Sequence, residues 1–243
     1  MAITSSRHHG MAAPGTTEEE LIVHTDPATA PALALLHTSP VHIPVFEALR
    51  ERDHPALTLR HHVDESLLAR ARVEGPEAVG DAVEEALAVA AAGAGAVLCT
   101  CSTIGGVAET RAAAVGVPVL RVDRPMAAAA VAEGPVVAVV ATVESTLAPT
   151  VALVEEEAAR AGRAVEVRTV VVPGAWERFE AGDQDGYLGL VAEAVDGVAG
   201  VAGGADAVLL AQASMADAVD RVTTRVPVLA SPRLGLSGAA RLV

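Results

Sequence analysis

The sequence predicts an α/β protein made of two pseudo-symmetric parallel-sheet lobes, and three observations carry that expectation. Short runs of Ala, Val and Leu alternate with amphipathic stretches, which is the pattern of βα units with parallel strands. Four of these runs recur in the same order in the second half of the chain. Polar, hydroxyl-bearing segments follow the runs directly, where open α/β sheets place their ligand sites.

Residues 1–31 are rich in Thr, Pro and Ala without a lasting period, and are expected to form a flexible tail. The pattern then turns to strand and helix. A first strand over 32–36 ends in His37-Thr38-Ser39-Pro40, and a helix over 44–53 carries Pro in its first turn. A second strand covers 57–63, and an Ala-rich helix over 77–92 leads to the apolar run Ala96-Val97-Leu98-Cys99. Cys101, Ser102, Thr103 and two glycines follow it, and a fourth strand covers 117–122. The sequence then begins again, with strands over 136–141, 165–172, 207–211 and 226–230 and helices over 148–161 and 188–201.

The two halves align. Leu33 to Thr38 matches Val137 to Thr142 at an offset of 104, and Leu57 to Arg60 matches Val165 to Arg168 at 108. Ala96 to Cys101 matches Ala207 to Gln212 at 111, and Val117 to Leu120 matches Val226 to Leu229 at 109. Each match is weak in so Ala/Val-rich a chain, but an ordered set at near-constant offset indicates an internal duplication. The first lobe is expected over 32–134 and the second over 135–243. Their strand ends would face each other across a cleft, with Cys101 opposite Gln212 and Thr38 opposite Thr142. The active site is expected in that cleft.

Composition narrows the chemistry. The chain has 243 residues, 51% hydrophobic and only 2% aromatic, which offers little surface for stacking bases. A formal net charge of -14 argues against nucleic acid or an anionic membrane as partner. Cys99 and Cys101 are too close along an extended strand to form an unstrained disulfide, which fits a reducing, cytoplasmic setting. No apolar run approaches the roughly 20 residues of a spanning helix.

Cys101 stands at a strand end before a helix, where backbone N–H groups and the helix dipole favour a thiolate. The plain alternative is a buried structural thiol, since free Cys packs as a small hydrophobe. Cys99, inside the apolar run, is expected to be such a residue. His61 and His62 point to opposite faces of their strand. A zinc site from His37, His42 and His61 has no supporting motif spacing, and no metal is expected. Asp64 and Glu65 read as helix caps. Arg60 and Arg168 repeat between the halves and read as structural, and Asp123 with Arg124 reads as a local ion pair. Trp176, Phe179 and Tyr187 flank an irregular segment that forms either a lid or an interface. Gly93-Ala94-Gly95 and Gly203-Gly204 precede strands, the wrong context for a phosphate loop.

Cys101-Ser102-Thr103 after the third strand and Leu210 to Met215 in the second half resemble the aspartate/glutamate racemase superfamily. That superfamily includes hydantoin racemases, maleate isomerases and arylmalonate decarboxylases. His37-Thr38-Ser39 and Ala141 to Thr146 add to the likeness. The resemblance implies cofactor-independent proton transfer beside the carboxylate of a small acid, with the C-terminal strand and tail crossing back to the first lobe. It implies that Cys101 is catalytic, with His37 accepting or orienting its proton. Thr38, Ser39, Ser102, Thr103, Thr142, Ser145, Thr146, Gln212, Ala213 and Ser214 would hold the substrate. The sequence departs from the two-thiol pattern at Gln212, which cannot exchange a proton under ordinary conditions. One-cysteine racemase or isomerase chemistry is therefore expected. A single-thiol decarboxylase and a non-catalytic small-acid binder remain the alternatives. The oligomeric state stays open, a homo-oligomer included.

Overall fold

Two four-stranded parallel sheets carry the chain, and their strand orders are the same: second, first, third, fourth. The computed structural model describes residues 32–200 and 203–243, so the expected N-terminal tail lies outside the described residues. The first half runs β1 (Ala32–His37), α1 (Ile43–Asp53), β2 (Leu59–Val63), α2 (Glu65–Glu74) and α3 (Gly80–Ala91). It continues through β3 (Ala94–Cys99), α4 (Ser102–Thr110), α5 (Ala112–Val115), β4 (Val119–Arg121) and α6 (Arg124–Glu133). The second half runs β5 (Val136–Ala141), α7 (Leu147–Ala161), β6 (Glu166–Val171), α8 (Ala175–Glu180) and α9 (Gln184–Ala199). It closes with β7 (Ala207–Leu210), a 3-10 segment over Ala213–Asp220, β8 (Val228–Ala230) and α10 (Ser231–Ala239).

The central strands read as unbroken apolar runs because helices cover both faces of each sheet. β1 and β7 are buried along their whole length, whereas the edge strands β2 and β6 carry exposed residues. The repeat extends to single hydrogen bonds. Thr100 N–H donates to Leu36 O at 3.0 Å, and Ala211 N–H to Val140 O at 2.9 Å. Arg60 Nη1 donates to Ala92 O at 2.6 Å, and Arg168 Nη1 to Gly203 O at 2.6 Å. Each arginine ties an edge strand to the turn before the third strand of its lobe, the structural role read from their repetition.

Several boundaries differ from the sequence reading, each for a local reason. β4 and β8 begin later than expected because Pro118 and Pro227 have no N–H for the ladder. Their carbonyls instead accept Val97 N–H and Val208 N–H, both at 2.9 Å. The helix expected over 77–92 opens as a 3-10 turn, Glu77–Val79, before α3 begins. Asp183 accepts Gly186 N–H at 3.0 Å and caps α9, so that helix starts at Gln184 rather than at 188. Asp64 caps α2 by accepting Ser66 N–H at 3.0 Å.

The C-terminal strand is a correction: β8 pairs with β7 and stays in the second sheet. It is α10 that packs against the first lobe, where Leu236 and Ala239 join Leu33, Leu35, Phe46, Leu98 and Val122. Gly235 permits that approach, since a Cβ there would sit 2.5 Å from Val122 O.

The expected local Asp123–Arg124 pair is also corrected. Asp123 accepts Arg121 Nε at 2.7 Å and Nη2 at 2.9 Å. Arg124, at the start of α6, reaches both lobes. Its Nε donates to Glu109 of α4 at 2.8 Å, and its Nη1 to Glu156 of α7 at 3.1 Å, with Glu157 also in contact. A single guanidinium thus bridges the two lobes.

Candidate active site

Cys101 is the residue just before α4, with extended backbone at φ -106° and ψ 115°. It is 9% exposed and makes no side-chain cap hydrogen bond, and it stands at the N-terminus of α4, the positive end of the helix dipole. Gly105 seats α4 closely on β4, because a Cβ there would come 2.8 Å from Arg121 Cβ. Arg121 Nη2 also donates to Ser102 O at 3.4 Å. Ser102 and Thr103 open on a cavity of about 200 Å³ whose far wall is Pro149, Ala152 and Leu153 of α7, in the second lobe. A larger cavity of about 330 Å³ lies between α1 and the β8 region and holds none of the expected site residues. Cys99 is fully buried, and burial drives its thiol well above the ordinary range. It is a packing residue.

His37 requires a correction. Its Nδ1 lies 2.8 Å from Thr100 Oγ1 and its Nε2 2.8 Å from His61 Nδ1. His61 Nε2 in turn lies 3.0 Å from Glu47 Oε1, and Arg50 Nε donates to the same carboxylate at 2.7 Å. With one proton on each ring, the donors run in one direction: Thr100 O–H to His37, His37 N–H to His61, and His61 N–H to Glu47. Both His37 nitrogens are therefore engaged away from Cys101. The faces differ too. Cys101 packs with Leu36, Cys99 and Ile104, whereas the His37 ring sits 5.7 Å from Phe46, which packs on the opposite face. Alternation along the strands sets this, as it separates Thr100 from its neighbour Cys101.

Burial, followed by the nearby His61 and His42, lowers the His37 pKa to about 3. The ring stays neutral in the folded protein while the unfolded chain takes up a proton below about 6.5. Folding stability therefore falls as pH drops from 6.5 towards 3, by about 1.4 kcal/mol per pH unit from this group. Urea unfolding at pH 7.5 and 5.5 checks it: His37→Asn is expected to lose about 1.4 kcal/mol less than the parent over that interval. An equal loss in both proteins overturns the assignment.

In the second lobe Gln212 precedes the 3-10 segment with φ -127° and ψ 139°, much as Cys101 precedes α4 in the first. Gln212 Oε1 accepts Thr142 N–H at 2.7 Å and Thr142 O–H at 2.9 Å. A backbone N–H can only donate, so the carboxamide orientation is fixed and its NH2 group remains as a donor. Ser214 Oγ lies 2.8 Å from the hydroxyl of Tyr187. Thr146 donates to Val143 O at 2.7 Å, so its hydroxyl proton is engaged locally, and Ser145 is exposed. Thr38 is buried after β1, Ser39 follows it half-buried, and Ala213 is half-buried beside Gln212.

Tyr187 is one of the aromatic residues that flank the irregular segment. It is no lid: it is fully buried in the first turn of α9, 5.1 Å from the ring of Phe179, which stacks on Trp176. Pro76 and Glu77, before the corresponding helix of the first lobe, line the cavity beside Ser102 and Thr103. Among the described residues, no group of three His, Cys, Asp or Glu side chains is placed to hold a metal ion, and no helix is long and apolar enough to cross a membrane.

The two lobes repeat one parallel α/β topology, each with polar residues at its strand ends. The Asp/Glu/Hydantoin racemase family model matches residues 42–238, and the chain belongs to that family. Among solved structures it is similar to an aspartate racemase homologue from Pyrococcus horikoshii. That match has TM-score 0.64 and 16% identity, covering 88% of this chain and 99% of the other. Glutamate racemase from Thermus thermophilus, in complex with β-chloro-D-alanine, matches at TM-score 0.57 and 22% identity, over 88% and 80%. A liganded arylmalonate decarboxylase mutant matches at TM-score 0.58 and 19% identity, over 88% and 92%. These likenesses concern the fold. A search of curated protein sequences finds no match.

Proposed function

We propose that the protein catalyses cofactor-independent proton transfer at the carbon next to a carboxylate in a small acid, with Cys101 as its one acid/base thiol. The observation that carries this reading is the asymmetry of the paired half-sites. The first lobe presents a thiol at a helix start, and the second presents the clamped carboxamide of Gln212. In the forward step the Cys101 thiolate takes the α-proton: an S–H bond forms, a C–H bond breaks, and the electron pair spreads onto the carboxylate oxygens. The N–H groups of α4 and the Gln212 NH2 group are donors suited to that charge, and preorganised donors stabilise such an intermediate most. They also offset the unfavourable field of a chain with net charge -14.

Family membership and the racemase and decarboxylase folds among the neighbours support the reading. The single thiol favours a second one, loss of carbon dioxide from a malonate-type acid followed by one protonation. Incubation with aspartate, glutamate, a hydantoin and an arylmalonate in heavy water tests both. Deuterium at the α-carbon without gas release supports proton exchange, and deuterium with carbon dioxide supports decarboxylation. Binding of an acid with neither outcome makes the protein a small-acid binder and overturns both.

A further inference from the structure

Arg121 is a buried cation that the proposed chemistry leaves unused. It ends β4 against α4, with its side chain 8% exposed. Its Nε and Nη2 fork onto Asp123 at 2.7 and 2.9 Å, and Nη2 also donates to Ser102 O at 3.4 Å. These contacts use three of the five N–H donors of a guanidinium. Nη1 carries the other two and has no acceptor among the described residues. Every buried polar side-chain atom among those residues has a partner, so the unpartnered Nη1 is open to the cavity that Arg121 lines with Ser102, Thr103 and Gly106. Gly106 makes that opening. A Cβ there would meet Nη1 at 3.4 Å and nothing else within 4 Å beyond the helix backbone.

The duplication built this cavity twice. Val45, Leu49 and Arg52 of the larger cavity match Pro149, Leu153 and Glu156 of this one at the offset of 104. At the offset of 109, Ala230 stands where Arg121 does. Only the lobe with the thiol puts a guanidinium at that strand end. Asp123 already balances its charge, and the carboxylates of Glu77 and Glu156 also line the cavity. A second carboxylate on the ligand would meet that field unfavourably, whereas an uncharged carbonyl oxygen accepts from Nη1 without the penalty.

The geometry points to Arg121 as a specificity residue, whose Nη1 donates to an uncharged carbonyl at the far end of the bound acid, as in an amide or ureide. This rests on the small-acid site proposed above. Gly106 lies five residues along the chain from Cys101, roughly 7 Å at the rise of a helix, which a four-carbon acid spans with one hydrogen bond at its end.

Calorimetric titration with three acids of one length and shape tests this: succinamate, succinate and 4-methylpentanoate. The parent protein is expected to bind succinamate about tenfold more tightly than either of the others, the worth of a hydrogen bond from a charged donor. Gly106→Ala keeps Arg121 and its pair with Asp123, but sets a methyl group against Nη1 and crowds the carbonyl away. The preference should fall to about twofold, while the melting temperature holds or rises because Ala favours the helix. Gly189→Ala in α9, where a Cβ meets nothing within 4 Å, should leave the preference intact.

An amide preference that survives in Gly106→Ala overturns the inference, as does an equal fall in Gly189→Ala. So does a parent protein that favours succinate or binds all three acids alike. A parent that binds none of them overturns the small-acid reading itself, which is a separate failure.

Discussion

Cys101→Ser is expected to lower α-deuterium incorporation about a thousandfold, within the 10²–10⁴ range for a positioned acid/base group, while acid binding survives. A serine hydroxyl keeps the volume and a hydrogen-bond donor but ionises far above neutrality, so proton abstraction is lost and recognition is not. Cys99→Ser gives the contrast. That thiol is fully buried, packs between Leu36 and Val97, and gives its weak hydrogen bond to Cys101 O at 3.7 Å. Exchange per folded molecule should stay close to the parent value there, with the cost appearing in the melting temperature. Exchange rates and ligand titrations on both variants check this. Full activity in Cys101→Ser would sink the assignment.

The largest effect on stability is expected at the bridge between the lobes. Arg124 is 13% exposed and serves Glu109 on one side and Glu156 and Glu157 on the other. Together these contacts keep its guanidinium protonated, the Glu109 hydrogen bond contributing most. Arg124→Met leaves the part-buried carboxylates of Glu109 and Glu157 without their shared cation, while Glu156 is exposed to solvent. Removing one partner of a buried pair costs about 3–5 kcal/mol, and partial exposure brings the expectation here to about 2–4 kcal/mol. For a domain of this size that is a fall of roughly 5–15 °C in melting temperature. Arg70→Gln, which breaks the exposed pair with Glu74, should barely move it. Thermal melts of the two variants settle the comparison, and equal shifts overturn it.

Much of the architecture was legible because duplication wrote it twice. One weak apolar run proves little, but Ala96 to Cys101 and Ala207 to Gln212 fall on the same strand of identically ordered sheets. Cys101 and Gln212 stand at equivalent places in the two lobes for that reason. What alternation hides is which face a side chain takes once the strand has ended. His37 and Cys101 both follow the logic of strand ends, yet their side chains leave by opposite faces, and only the contacts with Phe46 and Ile104 tell them apart. Arg124 was misread for a related reason. Its neighbour Asp123 lies one residue away, but the pairing depends on α4 and α7 meeting at the bridge, which local sequence does not encode.

The fixed carboxamide of Gln212 has a stereochemical consequence. On the proposed reading, a thiol on one side and an amide on the other would leave a bound carbanion open to protons from a single face. Exchange with heavy water would then replace hydrogen by deuterium with retention, and label would accumulate well before any optical rotation changed. In a substrate that loses carbon dioxide, the same one-sidedness would make a single enantiomer of the product.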